Sequence, residues 1–195
     1  AEEIAEGAAA IIESGVLPNN IRAIYGAHVD RNYPIGQVVV ENGAISSYSD
    51  VLEVQVTGSA AHAARPEEGH NPLPILTKIH DEIAMITLDS QYDSKTNICT
   101  ITQLIAGERH NMIPEDARLR GTIRCLDKNA RRDYHQKIKA IVDNIQAPYN
   151  ARLNIIEGSP GIENSPELYN DIKKALSPLI GNSNIISLHK PNLAS

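Results

Sequence analysis

Two adjacent carboxylates near the start of the sequence and one histidine downstream form the first combination that could perform chemistry. Glu2 and Glu3 open an Ala-rich segment, and His28 follows within the segment GAHV. One carboxylate and the imidazole could ligate a divalent metal ion, while the other carboxylate acts as a base toward a metal-bound water. A catalytic zinc site takes three protein ligands, however, and a Glu pair at a helix start also complements the helix dipole. The spacing alone therefore leaves a metal site and a solvated pair both open.

Three further side chains could contact a substrate. His62 lies among small residues in GSAAHAARP and could polarise a carbonyl oxygen, although a surface histidine is the simpler interpretation. Asn111 in HNMIP could donate to an oxyanion, or could simply precede a turn at Pro114. Arg124 ends a row of arginines that alternate with apolar residues, and it could bind a carboxylate through two hydrogen bonds or remain solvated.

Several other classes of protein are excluded. The sequence has no P-loop, GxSxG, HExxH or zinc-finger spacing, so a nucleophilic-serine mechanism has no support. Its 24 acidic and 18 basic residues give a net charge of −6, and it has no Trp or Phe, which makes nucleic acid a poor partner. No apolar run approaches the roughly 18 residues that a membrane span needs, so we expect no membrane partner.

The elements that must position these residues follow a six-part pattern in the middle of the sequence. Alternating apolar residues predict strands at 51–57, 97–105, 117–125 and 151–156. Apolar residues at helical spacing predict one helix around Leu76–Ile86 and a second around Tyr134–Ile145. The resulting β-α-β-β-α-β order is the ferredoxin-like arrangement, with a four-stranded antiparallel sheet and two helices on one face.

The flanking sections predict a smaller α/β layer. An opening helix ends at Gly15, and strands are expected over 19–30 and 36–43, before a polar, turn-like SSYSD at 46–50. A helix after Ser165 ends at Gly181, and NIISL at 184–188 reads as a strand. Because that strand has no partner in its own section, we expect 165–195 to pack with 1–45.

The remaining titratable residues predict little chemistry. Cys99 and Cys125 lie in apolar, strand-like runs without a CxxC pair, which indicates two buried free thiols and a reducing, cytoplasmic location. We expect His80 and His135 on helix surfaces. The opening segment is not a signal peptide, and the sequence starts without Met, so we expect it to be a portion of a longer chain.

Taken in order, four segments resemble the dinuclear-metal amidohydrolase and exopeptidase family, which includes hippurate hydrolase, auxin–amino-acid conjugate hydrolases and N-acyl-amino-acid amidohydrolases. These segments are AEE, GAHV, GSAAHAARP and HNMIPEDARLRGTIR. The resemblance implies an α/β fold, with a partial catalytic domain in two pieces, 1–46 and 158–195. Between them it implies an inserted ferredoxin-like α+β lid and dimerisation domain, 47–157. The lid loop departs from the family's GGHAAxP pattern, but its histidine and proline remain.

The resemblance also implies a role for each candidate in the amino-terminal section. Glu2 matches the general base, whereas Glu3 and His28 match ligands of two divalent metal ions, which could be Zn, Mn, Ni or Co. Other ligands of the family lie upstream of the Glu pair or beyond the last residue, so we expect this chain alone to be incomplete and inactive.

The lid candidates complete the implied site. His62 matches a lid histidine that reaches the partner subunit's site in a homodimer and stabilises the tetrahedral oxyanion, while Asn111 and Arg124 match substrate-contacting positions. The implied reaction is hydrolysis of an N-acyl amino acid or a small peptide. The alternative is a non-catalytic ferredoxin-like module for dimerisation or small-molecule binding, since fold alone does not decide function.

Overall fold

The computed structural model describes residues 6–88, 96–188 and 193, which separate into two compact units. One unit is Tyr48–Gly158, and the other combines the described parts of Ala1–Ser47 and Ser159–Ser195. The described residues form four α-helices: α1 (Glu6–Glu13), α2 (Leu73–Leu88), α3 (Lys128–Asp143) and α4 (Pro166–Ile180). They form ten strands: β1 (Val38–Val39), β2 (Gly43–Ser46), β3 (Tyr48–Thr57), β4 (Ala61–His62), β5 (Asn97–Ala106), β6 (Met112–Ile113), β7 (Asp116–Cys125), β8 (Asn150–Glu157), β9 (Ile162–Asn164) and β10 (Ile185–Ile186). Short 3-10 helices lie at Pro66–Glu68 and Asn182–Asn184. None of the helices within the described ranges has the length and apolar character of a membrane span.

The unit Tyr48–Gly158, which we call the insert, confirms the ferredoxin-like prediction. Its four long strands form one antiparallel sheet in the order β5-β7-β3-β8, and α2 and α3 share a single apolar core with that sheet. The six elements follow one another as β3-α2-β5-β7-α3-β8, which is the order that the apolar spacing predicts.

Strict alternation along the central strands creates this core. On β3, Leu52, Val54 and Val56 are at most 1% exposed, whereas the residues between them are only half-buried. Such alternation directs every second side chain to the helix-covered face. The core is almost entirely aliphatic because the sequence has no Phe or Trp, and burial of each Leu or Ile contributes about 1.5–3 kcal/mol.

Gly121 on β7 is required by an irregularity in its neighbour β5. The β5–β7 register shifts between Ile101 and Gln103, and Gly121 pairs with Ile101 at the start of that shift. A Cβ atom at Gly121 would lie 2.4 Å from the backbone oxygen of Thr100. Only glycine therefore allows β5 to bulge toward β7 at this point.

The flanking unit joins the first and third sections of the chain by two short strand pairs. Val38 and Val39 of β1 pair in parallel with Ile185 and Ile186 of β10, and β2 pairs antiparallel with β9. The strand predicted at 184–188 thus finds its partner in the first section. Helix α4 starts where predicted, because the Ser165 hydroxyl accepts a hydrogen bond from the Leu168 N–H at 3.1 Å.

Three predictions for residues 19–50 are wrong. The strand expected over 19–30 does not form, and Ile24 and Val29 are 72% and 91% exposed, because no described strand pairs with this apolar segment. The predicted strand at 36–43 is reduced to Val38–Val39. The polar SSYSD is not a turn: Tyr48–Asp50 begins β3 and pairs with Ile123–Cys125.

The reason for a strand at this polar segment is an ionic cluster around Asp50. The Asp50 carboxylate has no exposed surface and accepts two hydrogen bonds from Arg131, at 2.7 Å from Nε and 2.6 Å from Nη2. His135 Nε2 lies 2.8 Å from the same carboxylate. Arg131 also bonds Glu157 at 2.8 Å, and its guanidinium lies 5.1 Å from the centre of the Tyr48 ring. We call these five residues the Asp50 cluster.

The expectation that His135 lies on a helix surface is therefore wrong, since its side chain is 21% exposed and bonded to a buried carboxylate. Burial of Asp50 would raise its pKa, but the hydrogen bonds from Arg131 and His135 outweigh burial and hold that pKa below its usual value. A buried carboxylate of this kind needs its cationic partner, because removal of Arg131 would leave an uncompensated charge.

We predict that Asp50→Asn lowers the free energy of unfolding by about 3 kcal/mol at neutral pH, since it leaves Arg131 without its buried counter-charge. Because the folded-state pKa of Asp50 is lowered, its contribution is complete above the unfolded-state pKa of about 4 and is lost as the pH falls through the folded-state pKa. Urea unfolding of both proteins across this pH range checks the prediction. The difference should shrink in acid, and equal stabilities at pH 7 would contradict it.

Candidate functional site

Two loops at one end of the insert's sheet bring together His62 and Asn111. Strands β4 and β6 pair antiparallel, so that His62 lies opposite Met112 and Ala61 lies opposite Ile113. The Ala63 N–H donates to the Asn111 carbonyl oxygen at 2.9 Å. We call the segments 58–71 and 107–115 the loop pair. The structure thus places two of the predicted lid residues side by side.

The backbone around His62 determines which ring nitrogen can donate. The Ala64 N–H donates to His62 Nδ1 at 3.1 Å, so Nδ1 must act as an acceptor. The proton of the neutral ring then lies on Nε2. Because the side chain is exposed, this Nε2–H is available to a carbonyl or oxyanion oxygen from another molecule.

The loop pair is fixed by backbone hydrogen bonds at its base. Gly58 N–H donates to the Glu115 carbonyl at 2.8 Å, and Ser59 and His70 exchange two hydrogen bonds of 3.0 Å. A Cβ atom at Gly58 would lie 2.0 Å from the His70 carbonyl oxygen, so this close approach requires glycine. The loop around His62 is therefore held by main-chain geometry more than by side-chain packing.

Gly69 leaves room for the side chain of Ala61, which directly precedes His62. The Ala61 side chain is buried, and a Cβ atom at Gly69 would lie 2.6 Å from the Ala61 Cβ atom. The missing side chain at Gly69 leaves space for the Ala61 methyl group.

An open cavity lies on the second segment of the loop pair. Its volume of about 440 Å³ is within the size range of small-ligand sites. Glu108, Arg109 and Met112 give it both charges and an apolar wall. The pKa of Asp116 at its edge is lowered by hydrogen bonds from Gln55 and Thr57. Its lining residues are Gly107, Glu108, Arg109, Met112, Pro114 and Asp116.

Arg124 is not near His62. It lies eight residues beyond Asp116 on β7, which corresponds to about 27 Å along an extended strand. The loop pair adjoins the Asp116 end of β7, whereas Arg124 lies beside Ser49, where the chain enters the insert. Its Nε donates to the Thr122 hydroxyl at 3.2 Å. One insert therefore does not place Arg124 and His62 on the same small substrate.

His28 has the hydrogen bonding expected of a metal ligand. Its Nδ1 lies 2.7 Å from the Val29 carbonyl oxygen, which can only accept, so Nδ1 donates and Nε2 keeps a free lone pair. Glu2 and Glu3 lie outside the described residues. Within residues 6–88, 96–188 and 193, no three His, Cys, Asp or Glu side chains are grouped to hold a metal ion. His28 alone does not form a catalytic metal site, which takes three protein ligands.

The two cysteines are buried and free, as predicted. Burial raises the pKa of both the Cys99 and the Cys125 thiols to about 12. Neither is a nucleophile at neutral pH, because the thiolate is the reactive form.

The unit that carries this fold and the loop pair matches a known family. The model described as a peptidase dimerisation domain matches residues 49–150, and the chain belongs to this family. It is 31% identical to thermostable carboxypeptidase 1 of Saccharolobus solfataricus over 176 residues, which cover 89% of this chain and 44% of the relative. It is 28% identical to N-acetylcysteine deacetylase of Bacillus subtilis, over 92% of this chain and 47% of the relative.

A solved structure shares the fold. A dinuclear metal binding peptidase of the M20 family from Bacillus subtilis superposes with a TM-score of 0.68 at 21% identity, over 96% of this chain and 46% of that one. The chain thus spans about half the length of the curated relatives it matches. The predicted family is confirmed, since the chain carries a peptidase dimerisation domain and its relatives include a carboxypeptidase and a deacetylase.

We predict that Gly58→Ala destabilises the insert by about 1–3 kcal/mol, the usual cost of forcing an atom into a packed site. The backbone of His70 would have to move away from the new Cβ atom, which breaks the bonds at the base of the loop pair. Thermal unfolding of the variant checks this. Gly26→Ala is the matched control, because a Cβ atom there meets nothing within 4 Å. A melting temperature equal to that of the control would contradict the prediction.

Proposed function

We propose that this chain serves in metal-dependent hydrolysis of the amide bond of N-acyl amino acids or small peptides. Membership of the peptidase dimerisation domain family and the likeness to N-acetylcysteine deacetylase support this proposal. The observation that carries it is the orientation of His62, whose Nδ1 is occupied by a backbone donor while Nε2–H is presented to solvent beside Asn111. An isolated N–H donor of this kind suits an oxyanion.

Each predicted residue has a proposed task. Glu2 acts as general base and Glu3 and His28 hold the metal ions, as the resemblance implies, and His28 has the free Nε2 that this role needs. The divalent ions, of Zn, Mn, Ni or Co, supply a polarised water and carbonyl when bound. His62 and Asn111 donate to the oxygen that becomes negatively charged, and Arg124 binds the substrate carboxylate.

The separation within the insert supports a homodimer. Because about 27 Å of strand lies between Arg124 and the loop pair, the two cannot serve one small substrate within a single insert. We assign His62 and Asn111 to the partner subunit's site, and Arg124 to the site of its own subunit. Each site then requires two copies of the chain.

One edge of the sheet suits this association. Strand β5 is an edge strand of ten residues without a charged side chain, and Leu104 and Ile105 on it are 51% and 55% exposed. Met85 and Leu88 of the adjoining α2 are also exposed. Long apolar edges without charges pair with other strands unless they are protected. We assign the dimer seam to β5 pairing with a second copy.

A non-catalytic dimerisation or small-molecule-binding module is the alternative. It would share the β5 seam but would bind no divalent ion, so the metal content of a protein of the relatives' length separates the two. We also propose a cytoplasmic location, with the free thiols of Cys99 and Cys125 as support.

We predict that His62→Ala lowers kcat about a hundredfold or more in a protein of the relatives' length that carries this sequence, because it removes an oxyanion donor. Glu2→Gln should abolish turnover while metal binding persists.

Co-expression of the two variants should restore about a quarter of wild-type activity, since half of the dimers are mixed and each mixed dimer has one complete site. Steady-state kinetics on an N-acyl amino acid measures each value.

The control is co-expression of His62→Ala with Asn111→Ala. Both residues lie on the same loop pair, so no site in that mixed dimer receives both, and activity should not recover. The assignment of His62 to the partner's site would be contradicted if activity recovered in this control. It would also be contradicted if the mixture of His62→Ala with Glu2→Gln were inactive. Wild-type turnover by Glu2→Gln would contradict the general base.

We predict that Ile105→Lys raises the dimer dissociation constant at least about tenfold, because a charge on an edge strand opposes strand pairing. Ile156→Lys on the other edge strand, β8, is the matched control, with a starting side chain that is 49% exposed. Sedimentation velocity across a concentration series measures both. A larger effect of Ile156→Lys would move the seam to β8.

A further inference from the structure

The Asp50 cluster lies where the chain enters and leaves the insert. Tyr48 is the first residue of this compact unit and Gly158 is the last. Asp50 is two residues after the entry, and Glu157 is one residue before the exit. Arg131 and His135, both on α3, supply the remaining members.

Single groups in the cluster contact both ends of the insert. The Arg131 guanidinium bonds Asp50 on the entering strand and Glu157 on the leaving strand, at 2.6 Å and 2.8 Å from Nη2. The Gly158 N–H donates to the Ser49 carbonyl at 2.9 Å and approaches Asp50 Oδ1 at 3.4 Å. The two connections are thus tied to each other and to the first turns of one helix.

An ionic cluster is an unusual way to stabilise this core. Among the described residues, Asp50 is the one charged residue that is buried, and the core around it is aliphatic. Burying a carboxylate and a guanidinium costs several kcal/mol of desolvation, and a well-packed apolar replacement is often as stable. Directional bonds, in contrast, fix the mutual placement of the strands that they join.

We propose that the Asp50 cluster is a clamp that fixes the entering and leaving segments of the insert side by side, and so positions the lid. Its members are positioning residues, since they lie about nine strand residues from the loop pair that carries His62. The effect on catalysis rests on the proposed hydrolase function, whereas the effect on the two segments does not.

Hydrogen exchange on the 195-residue chain tests the clamp itself. Glu157→Gln removes one charge of the cluster and His135→Gln removes its imidazole, whereas the Asp50–Arg131 pair remains to keep the insert folded. We expect the Gly158 amide to exchange at least about tenfold faster, because local opening controls exchange. The amides of Leu52–Val56 should keep wild-type rates.

The matched control is Glu53→Gln, which removes the 2.6 Å ion pair with Arg120 from the middle of the same sheet. It should leave exchange at Gly158 unchanged. Unchanged exchange in both cluster variants, or an equal increase in the control, would overturn the clamp.

Kinetics of the protein of the relatives' length tests the positioning of the lid. We expect Glu157→Gln to lower kcat about tenfold with KM within about twofold, since small misplacement of a catalytic group costs rate. Arg131→Lys should behave alike, because a lysine ammonium cannot reproduce the paired Nε and Nη2 bonds to Asp50. Faster exchange at Gly158 with unchanged kcat in an active enzyme would overturn the positioning role. Absence of hydrolysis by the wild-type protein would instead contradict the proposed function.

Discussion

The placement of β3 between β7 and β8 decides which chemistry lies at which end of the insert. All ten residues of β3 pair with β7, and eight of them pair with β8. Because β7 and β8 each run antiparallel to β3, the first and last residues of the insert meet at one end of the sheet. The opposite end carries Gly58 and Glu115, from which the loop pair begins. The two chain connections of the insert thus lie a full strand length away from the candidate site.

This separation has a consequence for how the site is held. The loop pair cannot draw rigidity from the ionic cluster at the far end, so it depends on main-chain bonds at its own base. Gly58 and Gly69 permit those bonds, because side chains at either position would strike backbone or Ala61 within 2.6 Å. The small residues around His62 therefore permit this close approach of the backbone, and they leave the imidazole exposed.

Local pattern was sufficient to predict the insert, because its six elements are long and their apolar periods of about 2 and 3.6 residues are clear. The flanking unit was predicted less well. Its strands β1 and β10 have two residues each, and the exposed segment 21–30 has an apolar composition that resembles a strand. Without a pairing neighbour, that composition does not produce a strand. Sequence context singles out His62 and Asn111 as candidates, but the distance of Arg124 from them depends on strand register.

The Asp50 cluster was missed for a different reason. Asp50 lies 81 residues from Arg131 and 85 from His135, so no local spacing connects them, and polar SSYSD favours a turn by composition. A signal nevertheless exists in the helix. Asp127 caps α3, and its first turns place Arg131 and His135 four residues apart on one face. These two donor side chains share a helix face with the buried Ile138, so they need a hydrogen-bond acceptor in the core. Asp50 is the carboxylate that the alternation of β3 directs to the core.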